Sequence, residues 1–122
     1  KRVPFMVYVD EFHNFTTLSL IGMFSELRKF KVGMTMAHQY MAQLDPDIKS
    51  AVLGNAGTVI SFRLGTEDAM QLSKEMYPEF NVEDFINLPN YKIYLKLMID
   101  GKPSRAFSAI TSLVYRQYLC WL

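Results

Sequence analysis

Three short apolar segments, each followed by polar side chains, constrain the fold of this chain more than any other feature. They span residues 3–9, 32–37 and 57–64, and apolar residues at helical spacing lie between them. This alternation predicts an α/β fold, with parallel strands joined by right-handed crossover helices. The first segment is apolar throughout, which predicts a strand that is buried on both faces, and the second also predicts a buried strand. Because ligands bind at the carboxyl edge of open parallel sheets, the polar residues that follow the strands are the first candidates for a functional site.

Helix caps and turn signals place the remaining elements. They comprise helices over residues 16–31, 46–53, 65–77 and 82–88, and an antiparallel hairpin whose strands, 91–99 and 103–110, flank Asp100-Gly101. We expect residues 1–111 to belong to one domain. Residues 112–122 form an aromatic tail that fits none of these elements, and we expect it to dock on the domain or on a neighbour.

The composition limits the classes of function that fit the chain. Half of the residues are hydrophobic, which is enough for a compact domain with a core. The 13 basic and 12 acidic side chains leave a net charge of +1, so no strong basic field indicates nucleic-acid binding. Cys120 is the only cysteine, which excludes an internal disulfide and favours a reducing compartment. No apolar run reaches the roughly 18–20 residues of a membrane span, and Asp10 interrupts the first run too early for a signal peptide, so we expect a cytoplasmic location.

The first strand ends in a pair of carboxylates, Asp10 and Glu11, which follow a hydrophobic run. This order is the Walker B pattern of nucleotide hydrolases. In such sites the aspartate holds a nucleotide-bound Mg²⁺ through water, and the glutamate polarises the water that attacks the γ-phosphate. A strand that simply ends in solvated acids gives the same pattern, and this pair alone does not separate the two interpretations.

The other two strands also end in polar groups. His38 and Gln39 follow the second strand, and Arg63 lies near the end of the third. Parallel pairing would bring all three strand ends to one edge of the sheet. For Arg63 two interpretations are open, a role in the site or an ion pair with Glu67 or Asp68. We interpret His38 as structural rather than catalytic.

From residue 3 to residue 110 the chain resembles the HerA/FtsK superfamily of hexameric DNA-pumping ATPases, in particular the TraD/TraG-type coupling proteins of conjugation and type IV secretion. The likeness rests on three segments, YVDEF, SELRKFKVGMTMAHQY and GNAGTVISFRLGTEDA, which occur in the family's order. The resemblance implies the carboxyl-terminal half of a RecA-like P-loop motor domain, from Walker B onward.

The resemblance also implies roles for individual residues. Gln39 would be the sensor glutamine that reads the γ-phosphate and the attacking water, with an amide that caps a strand end as the alternative. Arg28 matches the family's Arg-Lys motif, whose arginine acts as a finger on the neighbouring subunit's nucleotide, with a cation favoured by the helix dipole as the alternative. Arg63 is the rival for the finger role. Asn55 would contact the nucleotide, and a helix cap beside Gly54 is an equal alternative.

The family's phosphate loop, Gly-x-x-x-x-Gly-Lys-Ser/Thr, does not occur in this sequence. We therefore expect the loop to lie upstream in a longer parent protein, together with any membrane segment and DNA-contacting elements. ATP and Mg²⁺, the latter held through water by Asp10, would bind the parent, and neither is expected to bind this chain tightly. The implied partners are identical subunits in a hexameric ring, DNA and secretion-channel proteins, at the cytoplasmic face of the inner membrane.

Two other functions remain open at this point. A HerA-like helicase-translocase of DNA repair shares the same motifs. A degenerate RecA-like module without ATPase activity would serve only as a binding or assembly platform. The joint presence of Asp10, Glu11, Gln39 and Arg28 argues against the degenerate module, because an inactive site has no need of all four.

Overall fold

The computed structural model describes residues 3–112 of the chain. The chain divides into two compact units, Lys1–Ala56 and Gly57–Leu122. The predicted docking of the aromatic tail falls almost entirely on residues 113–122 and lies outside the described residues. The assignment of residues 1–111 to one domain stays a prediction.

The first unit alternates strands and helices. Its elements are β1 (Phe5–Val9), a 3₁₀ turn (Phe12–Phe15), α1 (Leu18–Leu27), a second 3₁₀ turn (Arg28–Phe30), β2 (Val32–Met36), a third 3₁₀ turn (Met41–Gln43) and α2 (Pro46–Asn55). The two strands pair in parallel, with Phe5 opposite Val32 and Val9 opposite Met36. A parallel pair joined by a helix confirms the predicted strand–helix–strand arrangement.

Local sequence signals explain where α2 begins. Asp45 is the N-cap, and its Oδ1 accepts a hydrogen bond from the backbone N–H of Asp47 at 3.0 Å. Pro46 occupies the first helical position, where its missing N–H costs no hydrogen bond. The predicted start of this helix is confirmed, and its end at Asn55 lies two residues beyond the predicted Leu53.

The core of the first unit lies at the carboxyl ends of its two strands. Phe12, Leu44 and Ile48 are buried together, and Val9 and Met36 pack against them. Among the described side chains, this buried cluster lies next to the strand ends that carry the candidate site.

The prediction that β1 is buried on both faces is wrong for the described residues. The side chains of Phe5 and Tyr8 are 64% and 74% exposed. A strand is buried on both faces only where a layer of structure covers each face. In the first unit the packed layer reaches the carboxyl end of β1 and leaves most of its length uncovered. β2 is largely half-buried.

The second unit contains an antiparallel sheet with helices. Its elements are β3 (Val59–Ser61), α3 (Thr66–Glu75), α4 (Val82–Ile86), β4 (Lys92–Lys96), β5 (Met98–Ile99), β6 (Lys102–Pro103) and β7 (Phe107–Ile110). The sheet order is β3-β4-β7, and both pairings are antiparallel. Within the described residues, the hydrogen-bonded neighbour of β3 is therefore β4 rather than a parallel strand. The predicted hairpin is confirmed, since β5 and β6 pair across Asp100-Gly101 and β4 pairs with β7.

An aromatic cluster of Phe80, Phe85 and Tyr94 forms one part of the core of the second unit. Tyr94 stacks on Phe80 with ring centroids 3.7 Å apart and meets Phe85 edge-on at 5.1 Å. Burial raises the pKa of the Tyr94 hydroxyl, and the nearby Asp84 carboxylate raises it further. The start of α4 is fixed by a reciprocal capping box between Asn81 and Asp84.

Between residues 3 and 112, none of the helices combines the length and the apolar character that crossing a bilayer requires.

Candidate functional site

Backbone hydrogen bonds fix the polar segment that follows β1 to the end of β2. The N–H of Ala37 donates to the carbonyl of Val9 at 2.9 Å, and the N–H of Phe12 donates to the carbonyl of Ala37 at 3.1 Å. These bonds continue the parallel pairing beyond both strands. The segments 10–11 and 38–39 are consequently held side by side at the carboxyl edge, as the sequence predicted for these two strand ends.

Glu11 stands in a conformation that few residues other than glycine adopt. Its φ and ψ are both 47°, in the left-handed region, and its N–H donates to Oδ1 of Asp10 at 2.9 Å. A left-handed residue with a side chain costs about 1–2 kcal/mol. The next residue, Phe12, is buried and anchors the turn in the core, which keeps Glu11 in place. Backbone strain of this kind, held by its surroundings, is found most often at functional sites.

The carboxylate of Glu11 and the amide of Gln39 meet in a direct contact. Nε2 of Gln39 donates a hydrogen bond to Oε1 of Glu11 at 2.8 Å, across 28 positions of sequence. The structure thus brings together the two residues that the sequence assigned to the attacking water. An acceptor carboxylate beside an amide can hold and orient a water molecule between them.

His13 also lies at this edge of the strand pair, and the sequence did not predict a functional role for it. Its Nδ1 lies 3.4 Å from Oε2 of Glu11. This ring nitrogen is buried and forms no hydrogen bond within the described residues. The two carboxylate oxygens of Glu11 therefore face two different side chains, Gln39 on one and His13 on the other. In the sequence, His13 is recognisable only as a histidine two positions after Glu11. That spacing does not predict a contact unless the tight turn at Glu11 is known.

Two other predicted residues have local structural partners. The ring of His38 meets the buried ring of Phe12 edge-on at 5.5 Å, which supports the structural interpretation of His38. Nδ2 of Asn55 donates to the carbonyl of Ala51 at 2.8 Å, one turn back in α2. This bond satisfies a carbonyl in the last turn of the helix, and it matches the capping alternative for Asn55.

The backbone of Arg28 lies at the far end of the strand pair from Glu11. It opens the 3₁₀ turn that follows α1, three residues before Lys31. The carbonyl of Lys31 accepts a hydrogen bond from the N–H of Phe5, at the start of β1. Arg28 therefore belongs to the amino edge of the parallel pair, and the structure does not group it with Asp10, Glu11 and Gln39.

Arg63 belongs to the second unit and follows β3. Within residues 3–112, the ion pairs of lysine and arginine side chains are Lys29 with Glu26 and Arg105 with Glu79. The ion pair of Arg63 with Glu67 or Asp68, left open by the sequence, is not formed.

The side chains of the site suit a metal ion that is coordinated mainly by water and by the phosphates of a nucleotide. Among the described residues, no group of three or more histidine, cysteine, aspartate or glutamate side chains is positioned to enclose a metal. Asp10 offers a single carboxylate at the strand end. Mg²⁺ commonly retains several waters and is held by one or two carboxylates together with substrate phosphates, so Asp10 fits that role.

Comparison with known proteins identifies a structural neighbour. A solved structure aligns with 90% of this chain, with a TM-score of 0.62 and 13% sequence identity. It is the genome packaging NTPase B204 from Sulfolobus turreted icosahedral virus 2. That structure contains AMPPCP, and the match covers 53% of its chain, so the present chain spans about half of its length. The two proteins share this part of their fold. No protein-family description matches the chain, and no curated protein sequence does.

Proposed function

We propose that this chain is the carboxyl-terminal half of the RecA-like motor domain of an ATP-driven DNA translocase. The observation that carries the proposal is the hydrogen bond between Gln39 and Glu11. It joins the two strand ends at which nucleotide hydrolases place a water-polarising carboxylate and a sensor of the γ-phosphate. The fold shared with a packaging NTPase supports the same assignment.

In this function Asp10 would hold Mg²⁺ through water, while Glu11 would polarise the attacking water. The ion, when bound with ATP, would neutralise the charge that develops on the phosphates. The buried turn of Phe12 orients the Glu11 carboxylate, and His13 Nδ1 borders its second oxygen. The backbone hydrogen bonds between the two strand ends fix the segments that carry these side chains.

The Gln39–Glu11 bond also describes a resting state of the site. While the amide of Gln39 donates to Glu11, one carboxylate oxygen is occupied and less able to accept a proton from water. A γ-phosphate is a strong acceptor and would compete for the same amide. The Glu11 carboxylate would then be free to accept a proton from the attacking water only when a nucleoside triphosphate is bound.

The remaining parts of the motor would come from elsewhere in the assembly. The phosphate loop would lie in the parent protein, by which we mean the natural full-length polypeptide that contains this sequence. Arg28, whose backbone lies at the edge opposite Glu11, would act on the nucleotide of an adjoining subunit in a hexameric ring. We assign the motor to conjugative DNA transfer or type IV secretion, at the cytoplasmic face of the inner membrane. The packaging role of the structural neighbour favours a second candidate, a motor that packages a viral genome.

The test is the ATPase activity of the parent protein with Gln39→Ala. Loss of one positioned donor from a transition state typically costs about 10²–10³-fold in kcat. We expect a loss of this size in kcat, with a much smaller change in KM. Gln43→Ala is the matched control, since Gln43 is an exposed glutamine in the next 3₁₀ turn. Equal activities of the two variants would reject the assignment of Gln39.

A further inference from the structure

Two positive side chains lie just beyond the end of the β3–β4 ladder. Ser61 pairs with Tyr94 at the last position of the ladder, and Arg63 lies two residues after Ser61 while Lys92 lies two residues before Tyr94. Both side chains are exposed, and no ion pair within residues 3–112 involves either of them. An anion that bound to both would therefore not have to displace an acidic partner.

These two cations line a shallow cleft of about 400 Å³. The other lining residues are Phe62, Pro89, Asn90 and Tyr91, and none of the six is acidic. The rings of Phe62 and Tyr91 are 57% and 61% exposed. An exposed aromatic ring offers a face on which a nucleobase can stack.

The backbone holds the Tyr91 ring at the rim of the cleft at some energetic cost. Tyr91 has a φ of 66°, in the left-handed region that aromatic residues seldom adopt. Its carbonyl accepts two hydrogen bonds from Thr111, from the N–H at 2.7 Å and from Oγ1 at 3.0 Å. These bonds tie the turn to the residue that follows β7, so the position of Tyr91 is fixed by the sheet.

The chemistry of the cleft indicates the class of ligand. Aromatic faces on which bases stack, combined with cations along a backbone path, are the features that bind single-stranded nucleic acid. A free nucleoside triphosphate instead needs several converging backbone amides, usually in a glycine-rich loop, and no glycine lines this cleft. The bases of a duplex are stacked inside it and do not reach such rings.

We propose that the cleft of Phe62, Arg63, Tyr91 and Lys92 binds a single strand of nucleic acid, with one base stacked on Tyr91 and phosphates between Arg63 and Lys92. The proposal rests on the proposed function in taking this strand as the substrate of the motor. The binding itself needs neither ATP nor the residues at the end of β1.

The test measures binding of a fluorescent oligothymidine of about 16 nucleotides to the 122-residue chain by anisotropy, without nucleotide and over a range of salt concentrations. Arg63→Ala with Lys92→Ala should weaken binding at low salt at least tenfold, and should lower the slope of log Kd against log salt by about 1.4, since each phosphate contact on a single strand contributes about 0.7. Lys74→Ala with Lys102→Ala is the matched control. It removes two exposed charges from the same unit and should leave both quantities nearly unchanged.

A second variant tests stacking independently of charge. Tyr91→Asn removes the ring while keeping a residue that accepts the left-handed backbone. Loss of one stacked base costs about 1–3 kcal/mol, so binding should weaken about fivefold or more with the salt slope retained. This variant decides the matter even if the double alanine variant fails to fold.

Three outcomes would overturn the proposal. One is no oligothymidine binding by the unsubstituted chain at low salt. Another is an equal loss in the Arg63/Lys92 and Lys74/Lys102 variants. The third is binding of polyglutamate or of free ATP as tightly as the oligothymidine. Failure here would leave the ATPase test of Gln39 unaffected, and failure of that test would leave the cleft's binding intact.

Discussion

Replacement of Phe12 by alanine tests how the fold supports the Glu11 turn. Phe12 is 1% exposed and is the largest buried side chain in the first unit, where it contacts the core of Leu44 and Ile48. Removing a buried phenylalanine ring typically costs 3–5 kcal/mol, because the transfer free energy and the cavity both count. We therefore expect Phe12→Ala to lower the free energy of unfolding of this unit by about 4 kcal/mol.

The assay is hydrogen exchange resolved to peptides of the first unit, together with denaturant unfolding followed by circular dichroism. Phe15→Ala is the matched control, since Phe15 closes the same 3₁₀ turn and is 65% exposed. Exposed positions usually change stability by about 0.5 kcal/mol or less. Phe12→Ala should abolish exchange protection across β1 and β2, and Phe15→Ala should not. Similar protection in the two variants would refute the reasoning that the core at the strand ends holds this unit together.

Three further predictions follow from the site and its helices. The isolated chain should bind Mg-ATP weakly or not at all, because it lacks the amides and lysine of a phosphate loop; micromolar binding by calorimetric titration would contradict this. In the parent protein Arg28→Ala should lower kcat by about 10³-fold or more, and mixing it with Glu11→Gln subunits should restore partial activity if the arginine acts in trans. No recovery in rings shown to be mixed would move the finger role to Arg63. Asp45→Ala should lower the free energy of unfolding by about 1 kcal/mol, measured by chemical denaturation, through loss of the α2 cap; an unchanged midpoint would show that the cap contributes nothing.

The elements that the sequence predicted correctly are those with local signals. Asp45-Pro46 specifies a helix start without any distant contact. Asp100 and Gly101 both adopt positive φ, as a tight hairpin turn requires, and this dipeptide is a strong predictor of such turns. The meeting of Glu11 with Gln39 was also predictable, because parallel strands must bring their carboxyl ends to one edge.

The features that escaped prediction depend on contacts distant in sequence. The exposure of Phe5 and Tyr8 reflects which layers cover β1, and an apolar run does not reveal this. The 3.4 Å approach of His13 to Glu11 occurs where Glu11 adopts a left-handed backbone conformation, which the sequence does not reveal. Arg63 and Lys92 line one cleft because β3 pairs with β4, a strand that two helices separate from it in sequence.

The most direct test of the account is ATP turnover by the parent protein carrying Glu11→Gln. This change keeps the shape of the side chain and one oxygen that can accept a hydrogen bond from Gln39, but it removes the carboxylate that would polarise water. Glu67→Gln, at an exposed glutamate in the first turn of α3, is the matched control. The account predicts that Glu11→Gln abolishes turnover while ATP binding and ring assembly persist, and that Glu67→Gln behaves as the unsubstituted protein. Turnover by Glu11→Gln within a few-fold of the unsubstituted protein would contradict the Walker B assignment.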